Sequence, residues 1–359
     1  MRCNVEYREK AFEKDRSYFR PVGGRMLEKS VLKHVKRRPE GIWEGAAVGF
    51  DAAAFQGKEE MILQASGVAT TGWFPDGASV TAEEAAFLIA ENQMAAGGAV
   101  PFTMQIFLTM GKDYPEEKLR SLMQHLSTLA TEKKCPVAGG NTVYFGEGED
   151  CLVQILMTGA PEKYDRYVNH SKERPGKPGD SVYFVGEVGS LGAELLTAAY
   201  NERLKEHFSE SYLREMHYSK EAFSIRSRAE QSYGAGAVFL HDVSYGGVYT
   251  ALYQLAEAAG TGISVRHEGL RIRQSVIELS ETLNISPYLL LGTGAFLAVV
   301  PTDREEDWKD RMTEAGISVS FAATLTKEKA RVVRADHFSM ERYLNLPDGD
   351  ALTETCFTK

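Results

Sequence analysis

The sequence predicts a two-domain α/β (α+β) protein, and three observations support this prediction. The chain has 359 residues, whereas single hydrophobic cores usually stop growing at about 250 to 300 residues. Short apolar runs typical of strands alternate with segments of helical periodicity in both halves. Between the halves lies KYDRYVNHSKERPGKPGD, which is polar and rich in turn residues. We therefore expect domains over residues 1–169 and 170–340, followed by a C-terminal tail over 341–359.

The first half contains four predicted strands and two predicted helices. The strand-like runs are AAVGF at 46–50, MILQAS at 61–66, TMQIFLTM at 103–110 and LVQILMTG at 152–159. Thr81 and Glu84 form a capping-box pattern before AAFLIAENQMAAG, and an apolar stripe from Leu119 to Ala130 predicts the second helix. Strands such as MILQAS and TMQIFLTM are too apolar to remain exposed at a sheet edge or on a sheet face, so we expect a homodimer built through the N-terminal domains.

The second half repeats an alternation of strands and helices. It begins with SVYFVGE and continues through VGSLGAELLTAAY, GISVRH, a helix around 273–283, AFLAVVP, a helix around 304–315 and ISVSFAATLT. Within it, HDVSYGGVYTALYQLAEAAGTGI at 241–263 runs from a loop into an amphipathic helix. A helix N-terminus presents unpaired N–H groups that suit a phosphate, and the same residues would also serve an ordinary strand-to-helix turn.

Composition and charge narrow the range of functions. The 43% hydrophobic and 25% charged residues are typical of a globular protein, and the net charge of −9 provides no general attraction to nucleic acid or to an anionic membrane. Four cysteines without C-x-x-C spacing indicate reduced thiols. The N-terminus lacks a secretory pattern, and LLLGTGAFLAVVP is too short to span a bilayer. We expect a soluble, cytoplasmic protein.

Eight segments in order resemble the aminoimidazole ribonucleotide synthetase (AIR synthase) superfamily, from about Gly23 to about Thr324. The segments are VGGRMLEKSV, GFDAAAF, GWFPDG, AENQMAAGGAVP, AGGNTVY, PGDSVYFVGEVGSLGAELL, the H-D-x-[ST]-x-G-G start at His241, and LLLGTGAFLAVV. Glycine-rich turns are common, but eight in family order are hard to obtain by chance. Within the superfamily, these segments are most similar to those of the hydrogenase-maturation E proteins, which are carbamoyl dehydratases.

The resemblance implies a fold, a chemistry and partners. Its fold is an N-terminal domain that dimerises through a shared β-barrel, followed by a C-terminal α/β domain. Its chemistry activates an oxygen, or in one branch selenide, with the γ-phosphate of ATP, and its Mg²⁺ is held mainly by carboxylates. The resemblance also makes a protein partner from a maturation pathway a candidate.

The sequence departs from the family at the acidic positions. These positions are occupied here by Phe50, Gly67, Gln93 and Asn141. An amide oxygen can still coordinate a cation, but losing four anionic ligands removes most of the charge that would hold Mg²⁺. We therefore expect a degenerate Mg-ATP site, with ATP a candidate ligand, Mg²⁺ a doubtful one and no metal ligand assigned.

Candidate site residues follow from the motifs. The catalytic candidates are His241, Asp242 and Cys356, and the cofactor-binding candidates are Gly23, Gly24, Arg25, Lys29, Asp51, Asn92, Asn141, Thr142, Gly246 and Gly247. Several have a structural alternative. Asp51 and Asp242 are also good capping residues, a lone histidine such as His241 is more often structural, and Arg25 and Lys29 also suit a solvated surface.

The catalytic candidate near the C-terminus, Cys356, lies in a sequence context that differs from that of the family. The E proteins carry a carbamoyl group on a cysteine that ends the chain, after Pro-Arg-x. Here the ending is TETCFTK, so an incidental tail cysteine is the favoured interpretation.

Two functional hypotheses remain. One is an ATP-using enzyme of the superfamily with an adapted nucleotide site, for phosphoryl transfer and dehydration. The other is a non-catalytic homodimeric binding or scaffold protein. The sequence names no substrate and leaves catalysis undecided.

Overall fold

The computed structural model describes residues 29–31, 33, 42–44, 48–57, 61–161, 175–335, 340–347 and 349–353. Within these ranges the chain forms two sheets, each covered by helices. No helix in the described ranges is both long enough and apolar enough to cross a membrane.

The first sheet has six strands in the order β1-β2-β3-β6-β4-β5. The strands are β1 Ile42–Glu44, β2 Ala53–Gln56, β3 Met61–Thr70, β4 Ala99–Met110, β5 Val137–Tyr144 and β6 Cys151–Pro161. Neighbouring strands pair antiparallel except β4 and β5, which are parallel. Within one chain this sheet is open, so the shared β-barrel stays a prediction that a second copy would have to complete.

Two helices accompany this sheet, α1 Ala82–Ala96 and α2 Glu116–Glu132. The capping box predicted at Thr81 is confirmed: the Thr81 side chain accepts from Glu84 N–H, and the Glu84 carboxylate accepts from Thr81 N–H at 2.8 Å. Helix α1 lies against β3 and is buried along nearly its whole length, because it packs against both the sheet and the second domain.

The second sheet has seven strands in the order β13-β12-β9-β11-β7-β10-β8. The strands are β7 Ser181–Val185, β8 Phe239–Val243, β9 Gly262–Arg266, β10 Ala295–Val300, β11 Val319–Thr326, β12 Arg331–Ala335 and β13 Met340–Tyr343. Strands β7, β8 and β10 are buried at every residue, as expected for apolar strands covered on both faces.

Seven further α-helices accompany the second sheet in the described residues. They are α3 Ser190–Ala199, α4 Asn201–Leu204, α5 Glu210–Met216, α6 Arg226–Ala235, α7 Gly247–Ala259, α8 Gln274–Leu283 and α9 Glu305–Glu314. Helix α7 is the amphipathic helix predicted after the Gly-Gly pair, and its apolar stripe lies in the core of the second domain.

One predicted strand is wrong in its described part. Residues 48–50 of AAVGF form a turn rather than a strand. Gly49 has φ +87°, and a Cβ there would lie 2.1 Å from the carbonyl oxygen of Gln254 on α7. The apolar character of this run therefore reflects packing against α7.

The two domains share a continuous interface. A single apolar cluster joins residues of the first sheet, α1 and α3. Hydrogen bonds cross the same boundary: Tyr245 OH donates to the carbonyl of Val68 at 2.6 Å, and Ser79 N–H donates to Glu194 Oε1 at 2.7 Å. This boundary positions the candidate site.

Candidate functional site

Asp51 and His241 form a buried pair where the two domains meet. His241 Nδ1 lies 2.9 Å from Asp51 Oδ1, and the backbone N–H of Asp242 donates to Asp51 Oδ2 at 2.8 Å. The other ring nitrogen of His241 lies 3.1 Å from Gln254 Oε1. The pair therefore fastens the segment before β2 to β8 and α7.

The protonation state of His241 follows from these contacts. Burial lowers the pKa of His241, but the Asp51 charge and the hydrogen bonds that the ring donates to Asp51 and Gln254 raise it more, so its pKa lies above its ordinary 6.5. With the Gln254 amide oxygen toward the ring, both ring nitrogens face acceptors, and the imidazolium provides an N–H donor for each of them. No ring nitrogen is left for a substrate. The geometry supports the structural interpretation of His241, and its catalytic role stays a prediction.

Asp242 is the unusual carboxyl of this region. Its side chain is buried, and neither carboxyl oxygen makes a hydrogen bond of good geometry with a described residue, although the Val243 backbone N–H is close enough to favour the charged form. Burial first, and the Asp51 charge second, raise the pKa of Asp242 well above its ordinary value, while the nearby Val243 backbone N–H opposes them. A carboxyl with a raised pKa keeps its proton to a higher pH, and in its protonated form it can donate a proton or a hydrogen bond.

At two of the four altered acidic positions, neighbouring groups pack against the residue that replaces the acidic one. The ring of Phe50 meets that of Phe239 edge-on, with centroids 6.2 Å apart. Gly67 lies directly under α1: a Cβ there would be 2.0 Å from Ala86 O and 2.7 Å from Ala90 N. An aspartate cannot be restored at Gly67 without moving the helix.

The residue at a third altered position, Gln93, forms hydrogen bonds within the fold. The amide nitrogen of Gln93, in the orientation that satisfies its surroundings, donates to the carbonyls of Ser66 at 3.0 Å and Asp51 at 3.2 Å. Its neighbour Asn92 is fully buried; its amide nitrogen donates to Phe223 O at 2.8 Å, and its oxygen accepts from Ile225 N–H at 3.0 Å. Both amides therefore form hydrogen bonds with backbone groups. The hydrogen bonds of Asn92 connect the two domains.

The fourth altered position lies on the open edge of the first sheet. Asn141 and Thr142 are exposed on β5, and Asn141 Oδ1 accepts from Thr142 N–H at 3.0 Å. Unlike Asn92, these side chains are accessible to a ligand, so their assignment to cofactor binding stays a prediction. Lys29 is exposed as well. Gly23, Gly24, Arg25 and Cys356 lie outside the described residues.

The donor set does not fit Mg²⁺. Magnesium prefers several hard oxygen ligands with negative charge, and the altered positions offer a phenyl ring, a glycine and two amides. The remaining carboxylate, Asp51, is held by His241. In the residues that the structure describes, no group of three or more His, Cys, Asp or Glu side chains is placed to hold a metal ion.

The N-terminus of α7 is occupied by a carboxylate of the chain itself. Gly246 has φ +79°, and its N–H donates to Asp350 Oδ2 at 2.7 Å. Asp350 Oδ1 accepts from Leu352 N–H at 2.8 Å and from Leu291 N–H at 3.3 Å. The residue after Gly246 is glycine for packing reasons, since a Cβ on Gly247 would lie 2.5 Å from a backbone carbonyl. Asp350 thus accepts an N–H group at the helix start for which we considered both a phosphate and an ordinary turn, and the assignment of Gly246 and Gly247 to cofactor binding stays a prediction.

Three residues of this region were not predicted from the sequence. Gln254 and Asp350 complete the polar contacts of β8 and α7, and neither belongs to a motif. Glu194 is fully buried on α3, where its carboxylate accepts from Ser79 N–H and lies 3.1 Å from His217 Nδ1. The one available signal was a glutamate inside an apolar helix, because such a charge must find partners.

Comparison with known proteins identifies the family. The model described as "AIR synthase related protein, N-terminal domain" matches residues 49–160, and "AIR synthase related protein, C-terminal domain" matches residues 177–336. The chain is 23% identical over 277 residues to the carbamoyl dehydratase HypE of Azotobacter vinelandii, which covers 74% of this chain and 76% of that protein.

Solved structures agree with this assignment. HypE in the HypE–HypF complex superposes with a TM-score of 0.64 at 20% identity, over 82% of this chain and 93% of that chain. HypE in complex with ATP also gives a TM-score of 0.64, at 17% identity, over 92% of this chain and 96% of that chain. At these identities the similarity shows the fold. With both domain models matched in order, the chain belongs to the AIR synthase related protein family.

Proposed function

We propose that the chain is a HypE-like protein of hydrogenase maturation that binds a nucleotide or another phosphate ligand without a family-type Mg²⁺ site. The relationship to carbamoyl dehydratase HypE and the ATP-bound HypE structure support the ligand class. One observation supports the loss of the metal: at three of the four altered acidic positions, Phe50, Gly67 and Gln93, the residue now packs or bonds within the fold.

The test compares ATP binding with and without Mg²⁺. Ligand at a hundredfold its dissociation constant stabilises a fold by about 2.7 kcal/mol, which moves a melting temperature by a few degrees. We expect ATP alone to produce such a shift and added Mg²⁺ to change it little. A large Mg²⁺-dependent shift would overturn the degenerate-site proposal, and the absence of any ATP effect would overturn nucleotide binding.

A matched variant makes this test sharper. Asn141→Asp restores one carboxylate at an exposed position with little change in shape, whereas Gly67→Asp would collide with α1. If metal loss results from missing charge, Asn141→Asp should increase the Mg²⁺ contribution to the ATP shift. Val143→Thr, at an exposed position of the same strand outside the candidate site, controls for a general disturbance of β5.

A second candidate is a non-catalytic homodimeric binding or scaffold protein, and β5 supports the homodimer, which the enzyme hypothesis shares. All eight β5 residues are exposed, and Tyr144 and the following Phe145 are 62% and 80% exposed. In the described sheet, β5 pairs with β4 alone and so presents an open edge. An exposed edge strand with unpaired backbone groups is a template for pairing with another chain, and the exposed Tyr144 and Phe145 add apolar surface to it. We propose that a second copy covers β5.

Light scattering tests the dimer. Tyr144→Asp should shift the protein toward monomer at micromolar concentration because it places a charge in the proposed contact. Tyr343→Asp, at a 76% exposed tyrosine on β13 of the other domain, is the control and should leave the mass unchanged. A native monomer would overturn the proposal. HypE forms a complex with HypF, and we propose a maturation partner of that kind for this chain.

A further inference from the structure

A cavity of about 510 Å³ lies at the C-terminal end of α7, opposite the end that Asp350 fills. It is lined by residues 176–178, by Gly260 and Thr261 after the helix, and by Lys327 and Lys329 between β11 and β12. Its volume is within the range of small-molecule sites, about 300 to 1,000 Å³. Because α7 has 13 residues and rises about 1.5 Å per residue, the cavity is about 20 Å from the contacts of Gly246.

The lining is cationic. Lys177, Lys327 and Lys329 contribute three positive charges and no lining residue is acidic, although the whole chain has a net charge of −9. Lys327 and Lys329 are exposed, and neither forms an ion pair with another residue that the structure describes. This local excess of positive charge differs from the rest of the molecule.

The described carboxylates nearest in sequence or space form no ion pair with Lys327 or Lys329. Glu257, on the last turn of α7, is paired with Arg331. Asp180 accepts from the backbone N–H of Lys177 at 2.8 Å, and burial raises the pKa of Asp180 against the lowering effect of Lys177. Glu328 separates the two lysines in sequence but does not line the cavity.

Thr261 supplies a second, independent observation. It lines the cavity and is 5% exposed, and its hydroxyl has no hydrogen-bond partner in the described part of the chain. Its backbone N–H is satisfied by Ala256 O at 3.1 Å. Buried hydroxyls are normally paired, because leaving one unpaired costs stability. An unpaired hydroxyl on a residue that lines a cationic cavity fits a ligand that brings acceptor oxygens.

We propose that this cavity binds the phosphate group of a small molecule. Lysine ammonium groups and a threonine hydroxyl are donors that suit a phosphate, which offers several acceptor oxygens and negative charge. The site lies at the opposite end of α7 from the domain boundary and is formed by the second domain alone. The proposal therefore does not depend on nucleotide binding at Asp51 or β5.

The alternative role of the lysines is to stabilise the end of the helix. Cations near a helix C-terminus interact favourably with the helix dipole, and Gly260 already closes α7 with an N–H bond to Ala256 O. In that role, replacing the lysines would lower stability slightly and would not affect the binding of any anion.

The experiment is calorimetric titration of the full chain with inorganic pyrophosphate in the absence of Mg²⁺. We expect measurable binding that weakens at least about tenfold in Lys327→Glu/Lys329→Glu. The control is Lys205→Glu/Lys309→Glu, which makes the same charge change at two partly exposed lysines on other elements. This control should change the affinity less than about threefold.

A third variant tests the hydroxyl. Thr261→Val keeps the shape of the side chain and removes the donor, so pyrophosphate should bind several-fold more weakly while the fold stays as stable or becomes more stable. The proposal is overturned if native protein does not bind pyrophosphate, if both lysine pairs weaken binding equally, or if Thr261→Val leaves the affinity unchanged.

Discussion

The two ends of α7 differ in how their charge is satisfied. At the N-terminal end, the Asp350 carboxylate accepts three backbone N–H groups, from Gly246, Leu291 and Leu352, and is fully buried. At the C-terminal end, exposed Lys327 and Lys329 face a cavity without a carboxylate partner among the described residues. The N-terminal end, which resembled an anion site in sequence, is occupied by a carboxylate of the same chain. The C-terminal end, which carries no sequence motif, is exposed and cationic.

This difference shows what a glycine-rich helix start does and does not predict. It predicts that N–H groups will be presented toward an anion. It does not predict whether that anion is a ligand or a carboxylate of the same chain, because Asp350 is more than a hundred residues from Gly246 in sequence.

The largest effect should come from removing the internal anion. Asp350→Ala leaves three buried N–H groups without an acceptor, so we expect the free energy of unfolding to fall by about 3 kcal/mol. Urea denaturation measures this. Glu341→Ala, which removes a half-exposed partner of Arg334, is the control and should cost less than about 0.5 kcal/mol. Equal losses in the two variants would contradict the structural role of Asp350.

A smaller, opposite effect is expected next to this helix start, at Asp242. Because the folded pKa of Asp242 is raised well above 3.8, its favourable contribution is complete below that value and is lost as pH rises through the folded pKa. At neutral pH the buried carboxyl therefore costs stability, about 1.4 kcal/mol for each tenfold weakening of its acid dissociation on folding. Asp242→Asn should stabilise the protein at pH 7 and flatten its pH dependence, as measured by urea denaturation across pH. A destabilised variant at pH 7 would contradict the unpaired state.

Much of the fold could be predicted from local patterns. The capping box at Thr81, the amphipathic α7 and most strands follow from spacing alone. Residues 48–50 could not be predicted, because their apolar side chains indicate a strand whereas Gly49 is required by its contact with Gln254. That contact joins distant parts of the chain.

The candidate site was less predictable, and for the same reason. Asp51 and His241 could be identified from motifs, but their pairing across 190 residues could not. The motifs also indicate that an acidic residue is absent at Gly67, but only the structure shows that α1 packs directly on that glycine. Long-range partners decide whether a polar residue serves the fold or a ligand.

The buried pair also predicts a pH dependence. The folded pKa of His241 lies above 6.5 because the contacts with Asp51 and Gln254 outweigh burial. Its stabilising contribution is therefore complete below about pH 6.5 and is lost as pH rises through the folded pKa. His241→Gln should remove this decline in the unfolding free energy, and His207→Gln, at an exposed histidine, is the control. A decline that persists in His241→Gln would assign the effect to another group.

The smallest effect is expected at the open end of α7. Lys329 is exposed and has no ion-pair partner among the described residues, so we expect its contribution to the fold to be at the lower end of the about 0.3 to 1 kcal/mol that a charge near a helix end provides at low salt. Lys329→Ala should therefore lower the free energy of unfolding by less than about 0.5 kcal/mol, and by nothing measurable at about 1 M salt, where screening acts within about 3 Å. Urea denaturation at the two salt concentrations checks this, with Asp350→Ala as the comparison at the other end. A loss of stability as large as that of Asp350→Ala would make Lys329 part of the fold, whereas a negligible loss leaves its charge available to bind a ligand.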